Sequence, residues 1–330
     1  MPCTFSVVIP TYNHAEFIKD AVDSVLEQTF QDFEVIVVNN FSTDHTLEVL
    51  GQIEDPRFQV INFQNNGVIG TGRNVGIKAS EGEYIAFLDS DDTWFPNKLE
   101  KVAEAIKEDP EVGLICHDQD LLRNDVIAKR THYGPPPGFR GSMFEMILFV
   151  GNGPSTSATV VSRSALEEVG CFSEDTDLIT TEDYDLWLKL SKVCRFKFLN
   201  ENLGTHYYHM GGVSANFEIH LRNTLNVLDR HCPSLLESPT PYPKGPIRRR
   251  YAKAFYGAAR QAQRNGLEST HQGRRALIKA AINYARCLRK HPFYLRAYAG
   301  LVLLLGDLVL GQARRRKLAQ AVWGPASHWG

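Results

Sequence analysis

Paired cysteines are missing from this chain. Its six cysteines (Cys3, Cys116, Cys171, Cys194, Cys232, Cys287) are scattered, with no Cys-x-x-Cys spacing. That argues against a zinc site or a disulfide framework and suits a reducing compartment. A membrane span is missing too. The longest apolar stretch, residues 295–311, is interrupted by Asp307 and glycines and falls short of the ~20 apolar residues that cross a bilayer. Met1-Pro2-Cys3-Thr4 lacks the basic segment of a secretory leader, and the apolar run behind it stops at Pro10, so the expected location is the cytoplasm. Acids are nearly absent from residues 244–330, where only Glu268 and Asp307 stand against 18 Lys and Arg. Residues 1–243 hold 36 acids and 18 bases, so a net charge of −2 hides an acidic region and a basic one. No recognisable DNA- or RNA-binding motif accompanies the basic stretch, and no nucleic-acid partner is expected.

What is present is an ordinary globular composition, 43% hydrophobic and 22% charged, over 330 residues. That length suits one large domain with an appendage, or two domains. Residues 5–10 (FSVVIP), 33–38 (FEVIVV), 58–63 (FQVINF) and 84–88 (YIAFL) are apolar runs of strand length. Between them lie a helical face from Phe17 to Leu26, a helix carrying Leu47, Val49 and Leu50 behind a cap at Ser42 or Thr43, and a glycine-bearing loop, 65–76, that leads into a short helix. This alternation predicts an α/β fold, a mostly parallel sheet with crossover helices. Pro96 opens a further helix through Leu99, Val102, Ala103 and Ile106, and 112–117 is another strand. Residues 118–141 look irregular, 143–150 and 183–190 helical, and 157–162, 196–199 and 203–208 extended. Five prolines between 233 and 246 mark a linker, with apolar helical stripes beyond it. The expected organisation is a domain over 1–232 (donor half about 1–118, acceptor half about 119–232), a linker over 233–246 and a basic helical region over 247–330.

Residues 83–99, EYIAFLDSDDTWFPNKL, carry the strongest chemical signal. A buried strand runs into Asp89-Ser90-Asp91-Asp92, three carboxylates in four positions. In open α/β sheets ligands sit beyond the carboxyl ends of the strands. Carboxylates packed this closely repel unless a cation lies among them, and Mg²⁺ or Mn²⁺ takes one or two protein carboxylates together with phosphate oxygens. The bland alternative is a solvated acidic turn.

FSVVIPTYNHAEFIKDAVDSVLEQTFQDFEVIVVNNFSTDHT, then GRNVG, then FLDSDD, then TEDYDLW follow one another over residues 5–215. In that order and spacing the chain resembles the family-2 glycosyltransferases of the GT-A fold. The resemblance implies an inverting transfer of a sugar from a nucleoside diphosphate donor to an acceptor hydroxyl. It implies that Pro10, Thr11, Tyr12, Asn13 and Asn40 line the nucleotide, with Tyr12 offering an aromatic face, and that Arg73 meets the diphosphate. Asp91 would hold the metal, Mn²⁺ or Mg²⁺, with Asp89 and Ser90 nearer the ribose or sugar and Asp92 behind. Asp183, with Glu182 beside it, would be the base, and His209 a metal or diphosphate contact. Where relatives commonly read VVDDGSTD this chain has Val37-Val38-Asn39-Asn40-Phe41-Ser42-Thr43-Asp44. Neutral asparagines both accept and donate, which leaves the base less determined; a UDP-sugar remains the first expectation, with GDP and dTDP open. A saccharide or lipid-linked acceptor is expected, in cell-surface polysaccharide or glycolipid synthesis. The basic helices suit an anionic membrane surface on the cytoplasmic side, or else dock on the acidic catalytic domain. The alternative function is a non-catalytic sugar-nucleotide-binding or assembly protein of the same fold.

Overall fold

The computed structural model describes residues 3–123, 126–151, 153–208, 216–237, 242–268 and 273–309. The chain divides into two compact units, Met1–Gly212 and Val213–Gly330.

The first unit opens with β1 (Phe5–Thr11), α1 (Ile18–Leu26), β2 (Phe33–Asn39), α2 (Thr46–Leu50), β3 (Phe58–Asn62), α3 (Ile69–Ala79) and β4 (Tyr84–Phe87). Alternate residues of β1 and β2 serve opposite faces. Phe5, Val7, Ile9, Val35 and Val37 pack with Ile18, Val22, Leu99 and Val102 in one core. On the other face α3 comes so close that a Cβ on Gly76 would stand 2.4 Å from Val8 Cγ1. Burial on both faces is why these strands are continuous apolar runs. The unit continues with β5 (Thr93–Trp94), α4 (Lys98–Glu108), β6 (Val112–Arg123), β7 (Val126–Thr131), α5 (Met143–Glu145), β8 (Thr159–Ser162), α6 (Arg163–Val169), α7 (Glu182–Leu190) and β9 (Arg195–Tyr207).

The nine strands among the described residues join one sheet, ordered β3-β2-β1-β4-β8-β6-β9-β5, with β7 on β6. The first four are parallel. The expectation of a mostly parallel sheet is corrected beyond them. β8 runs antiparallel to both β4 and β6, β5 and β7 also pair antiparallel, and only β6 and β9 restore a parallel pair.

Other differences have local reasons. The α3 helix begins at Ile69, so the GRNVG block is helical rather than part of a loop. Its glycines serve close packing on β1 and β2, not a turn. Neither Ser42 nor Thr43 caps α2; that position is His45, and Asp44 Oδ1 accepts from the Thr46 N–H at 3.0 Å. β6 runs on to Arg123 through the segment expected to be irregular, because β7 and β9 pair with its two sides. The two short strands expected after 195 are one, β9.

The second unit is helical: α8 (Phe217–His231), α9 (Pro233–Leu236), α10 (Lys244–Glu268), α11 (Gly273–Lys290) and α12 (Leu295–Val309). Ala252, Ala259, Ala262, Ala280 and Ala297 surround Tyr284, and Phe217, Leu221 and Leu225 of α8 pack against this cluster. That packing assigns α8 to the helical unit, so the division falls at 212/213 and not at 232/233. Much of the expected linker is helical, with Pro233 starting α9 and Pro246 in the first turn of α10. The run Arg314-Arg315-Arg316-Lys317 lies outside the described residues. Among the described residues no helix is long and apolar enough to cross a membrane.

Candidate active site

β1 lies between β2 and β4, and the chain moves outward through β2 and β3 before α3 carries it back to β4 on the other side. The strand order therefore reverses at the carboxyl ends of β1 and β4, where such sheets bind their ligands. The residues just past those ends are Tyr12–His14 and Asp89–Asp92.

The β1 side is a pair of loops clipped together. Asn40 N–H donates to Thr11 O at 2.9 Å, Asn13 N–H to Ser42 Oγ at 2.9 Å, Thr43 N–H to Asn13 Oδ1 at 2.8 Å and Ala15 N–H to Asp44 Oδ2 at 3.1 Å. Asn13 and Phe41 are held at φ +53° and +50°, an uncommon region for residues with a Cβ. Two aromatic side chains, Tyr12 at 52% and Phe41 at 55% exposure, stand out from these loops. Pro10 and Thr11 are buried. Asn39 is spent internally, donating to Asn62 Oδ1 at 2.7 Å and accepting from Ser42 Oγ at 2.6 Å. Asn40 accepts from Asn65 N–H at 2.9 Å. The asparagines that stand in for acids thus hold loops.

On the β4 side each carboxylate has its own setting. Asp92 is 1% exposed and accepts from the Tyr207 N–H at 2.9 Å and from His206 Nδ1 at 3.1 Å. It anchors β9. Burial opposes the charge on His206, yet Asp92 and the other acids raise its pKa to about 9. Asp89 accepts from Arg73 Nη2 at 2.7 Å, and its N–H donates to Ser157 Oγ at 3.1 Å. Asp91 is pushed up to about 7 by burial and by the charges of Asp92 and Asp89, against the pull of His206. Ser90 Oγ and His14 Nδ1 share a 2.6 Å hydrogen bond that ties the two sides together.

Arg73 is not where the sequence put it. It lies on α3, 3% exposed, with Nη1 donating to Glu182 Oε1 at 2.7 Å and Nη2 to Asp89. A guanidinium can hold two carboxylates at once because its fork of donors is planar and rigid. It therefore bridges the end of β4 to the start of α7 rather than standing open to a diphosphate. Asp183, next to Glu182, accepts from the Tyr184 N–H at 2.7 Å. Burial and the neighbouring Glu182 charge push it up to about 7, while Arg73 pulls it back and Asp89 adds to the rise. The four-member set Asp89, Arg73, Glu182 and Asp183 is thus one electrostatic unit.

The chemistry of the donor set suits a hard divalent cation. Burial and the charges of Asp92 and Asp89 together raise the pKa of Asp91, and a cation beside it would relieve that repulsion. Among the described residues no group of three or more His, Cys, Asp or Glu is arranged to hold a metal. The arrangement fits an ion that takes one or two protein carboxylates and completes its shell elsewhere. His209, expected as a further ligand, lies outside the described residues.

Several supporting residues escaped the sequence reading. Ser157 accepts from the Asp89 N–H through its side chain, and from Trp94 Nε1 at 2.8 Å and Lys98 Nζ at 3.1 Å through its carbonyl. No local pattern marks it. His14 stood in plain view behind Pro10–Asn13, one residue past the segment credited with binding.

The sequence profile of glycosyl transferase family 2 matches residues 6–170. The chain belongs to this family. A curated member, the UDP-Glc:alpha-D-GlcNAc-diphosphoundecaprenol beta-1,3-glucosyltransferase WfaP of Escherichia coli, is 32% identical over 228 residues, covering 68% of this chain and 84% of WfaP. Against other curated relatives the chain spans less, 52% of one uncharacterised glycosyltransferase and 26% of another. Among solved structures, TarS of S. aureus in complex with UDP-GlcNAc aligns with a TM-score of 0.60 at 20% identity, covering 87% of this chain and 81% of that one. The mannosyltransferase PcManGT from Pyrobaculum calidifontis, in complex with GDP-Man and Mn²⁺, aligns with a TM-score of 0.56 at 18% identity over 97% of this chain and 85% of that one. The family-2 glycosyltransferase fold of this chain is thus of the GT-A type, a mixed sheet with helices, extended by a helical C-terminal region.

Proposed function

We propose that this family-2 glycosyltransferase moves a sugar from a nucleoside diphosphate, with UDP favoured, to an acceptor hydroxyl, inverting the anomeric configuration. The observation that carries this is the Arg73 bridge. It sets Asp89, at the donor end of β4, and Asp183, at the start of α7, in one electrostatic unit although they are far apart in the chain. The clipped loops with Tyr12 and Phe41 offer aromatic faces to a base, and WfaP, named for a UDP-Glc donor and a lipid diphosphate-linked acceptor, suggests the same substrate classes here.

Asp183 takes the proton of the acceptor hydroxyl as that oxygen bonds to the anomeric carbon and the carbon–diphosphate bond breaks on the opposite face. A carboxylate near pKa 7 is well matched to this task, since it is ionised in about half the molecules at neutral pH and still basic. Glu182 and Arg73 fix the first turn of α7 so that Asp183 holds its position. Asp89 and Ser90 orient the donor sugar and ribose. Asp91 would hold a divalent ion, Mn²⁺ or Mg²⁺, which when bound stabilises negative charge on the leaving diphosphate.

Thermal shift with UDP, GDP, dTDP and CMP, each with and without Mn²⁺, tests the donor half, because only ligands of the native state raise the melting temperature. A shift with UDP and Mn²⁺ that disappears in Asp91→Ala is expected. No shift with any nucleotide, together with no transfer from any labelled donor, would overturn the proposal.

A further inference from the structure

The α12 helix has two apolar faces, and only one is used. Ala297, Gly300 and Leu304 turn inward, with Ala297 and Leu304 in the cluster around Tyr284. Leu295 (76% exposed), Tyr298 (49%), Val302 (68%) and Leu305 (63%) recur at helical spacing on the other side, and Phe293 (83%) precedes them. Four of the five most exposed large apolar side chains among the described residues fall in this stretch. A helical stripe of this kind ordinarily faces a core.

The helices that carry this stripe are basic. Arg274, Arg275, Arg286, Arg289 and Lys290 of α11, and Arg296 of α12, are all exposed. From residue 269 to 309 the only acid in the sequence is Asp307. An excess of one sign of charge in the helices that carry the stripe speaks against a second copy of this chain, since a symmetric contact would bring like charges together. An anionic lipid leaflet matches both features, taking apolar side chains below its headgroups and cations at its phosphates. Among the described residues no helix is long and apolar enough to cross a membrane, and the described part of α12, Leu295–Val309, suits a contact along a surface.

We propose that the outward face of α12 is a membrane contact: Phe293, Leu295, Tyr298, Val302 and Leu305 enter the headgroup–acyl boundary of an anionic leaflet while the arginines and lysines beside them bind its phosphates. The contact is independent of the transfer reaction, and its test uses no sugar donor.

The 330-residue chain is floated with phosphatidylcholine vesicles and with vesicles carrying about one-third phosphatidylglycerol, at low and at high salt. Flotation with the anionic vesicles at low salt, weakened by salt, is expected. Val302→Asp with Leu305→Asp should lower it about tenfold or more. These positions face water, so folding is unaffected, and circular dichroism of α-helix content checks this. Val302→Lys separates insertion from simple attraction: insertion predicts weaker binding, whereas charge alone predicts equal or tighter binding and would overturn the proposed geometry. Absence of flotation in the wild type would also overturn it. So would light scattering that shows a dimer dissolved by Val302→Asp, which would make the stripe a self-association face.

Discussion

The sheet unit and the helical unit place their charges in opposite ways. In the first, Arg73, Lys98, His117, Asp92, Asp118 and Glu182 are buried, and most are fixed by partners from distant parts of the chain. In the second, alanines close around Tyr284 while arginines, lysines and several large apolar side chains face outward. Burying an ionisable group is costly unless its partners are in place, and breaking such a set leaves an uncompensated charge. The sheet unit carries that cost where geometry matters for chemistry. The helical unit, assembled from neighbouring helices, keeps cations such as Arg274, Arg286 and Arg289 at exposed positions.

The sharpest break in this comparison is at the proposed base. Asp183→Asn should lower transfer by about 10²–10⁴-fold with donor affinity unchanged, read by single-turnover transfer and nucleotide titration. Near-normal turnover would remove the base assignment. Next, Arg73→Met strands Glu182 and Asp89 and should destabilise the sheet unit by about 3–5 kcal/mol in urea unfolding. Arg286→Met, on an exposed face of α11, should stay within about 0.5 kcal/mol.

Proton dependence sharpens the contrast further. Asp183 titrates near 7 in the folded chain, whereas a carboxylate ordinarily titrates near 3.8. The folded state thus binds the extra proton between those values. Its stabilising contribution is complete below the lower value and is lost as pH rises through about 7. Transfer needs the ionised form, so kcat/KM should fall about tenfold per pH unit below that point. Asp183→Asn should abolish the kcat/KM trend and remove its share of the stability trend, leaving the share that Asp91 contributes. Effects smaller than the loss of the Arg73 bridge concern two helical glycines. Gly76→Ala drives a methyl into Val8 and should cost about 1–3 kcal/mol. Gly257→Ala in α10 meets nothing within 4 Å and should stabilise by about 0.5–1 kcal/mol through helix propensity.

The strands β1 to β4 were legible because burial on both faces leaves an unmistakable apolar run, and the acids at 89–92 and 182–183 were legible as clusters. Helix α6 was not read at all, and α8 was missed although Leu221, Leu225 and Leu228 repeat at helical spacing. The α3 boundary was misplaced because its glycines suggested a turn, whereas Gly76 is there to let α3 approach Val8. Placing Arg73 against a diphosphate rested on the family resemblance and on the bidentate chemistry of a guanidinium, which two carboxylates satisfy in the structure. Its partners lie 16 and 109 residues away, and no local pattern reports them.

By itself the sequence determined the alternation of strands and helices, the family, the acidic character of the first region and the basic character of the second. These follow from periodicity, composition and short motifs, which act between near neighbours. Only the tertiary structure decided that β8 enters the sheet antiparallel, that Arg73 bridges β4 to α7, that Ser157 holds the Asp89 backbone, and which face of α12 stays uncovered. Each of those depends on which distant segments pack together, and a hydrogen bond or a buried face comes into being only when they do.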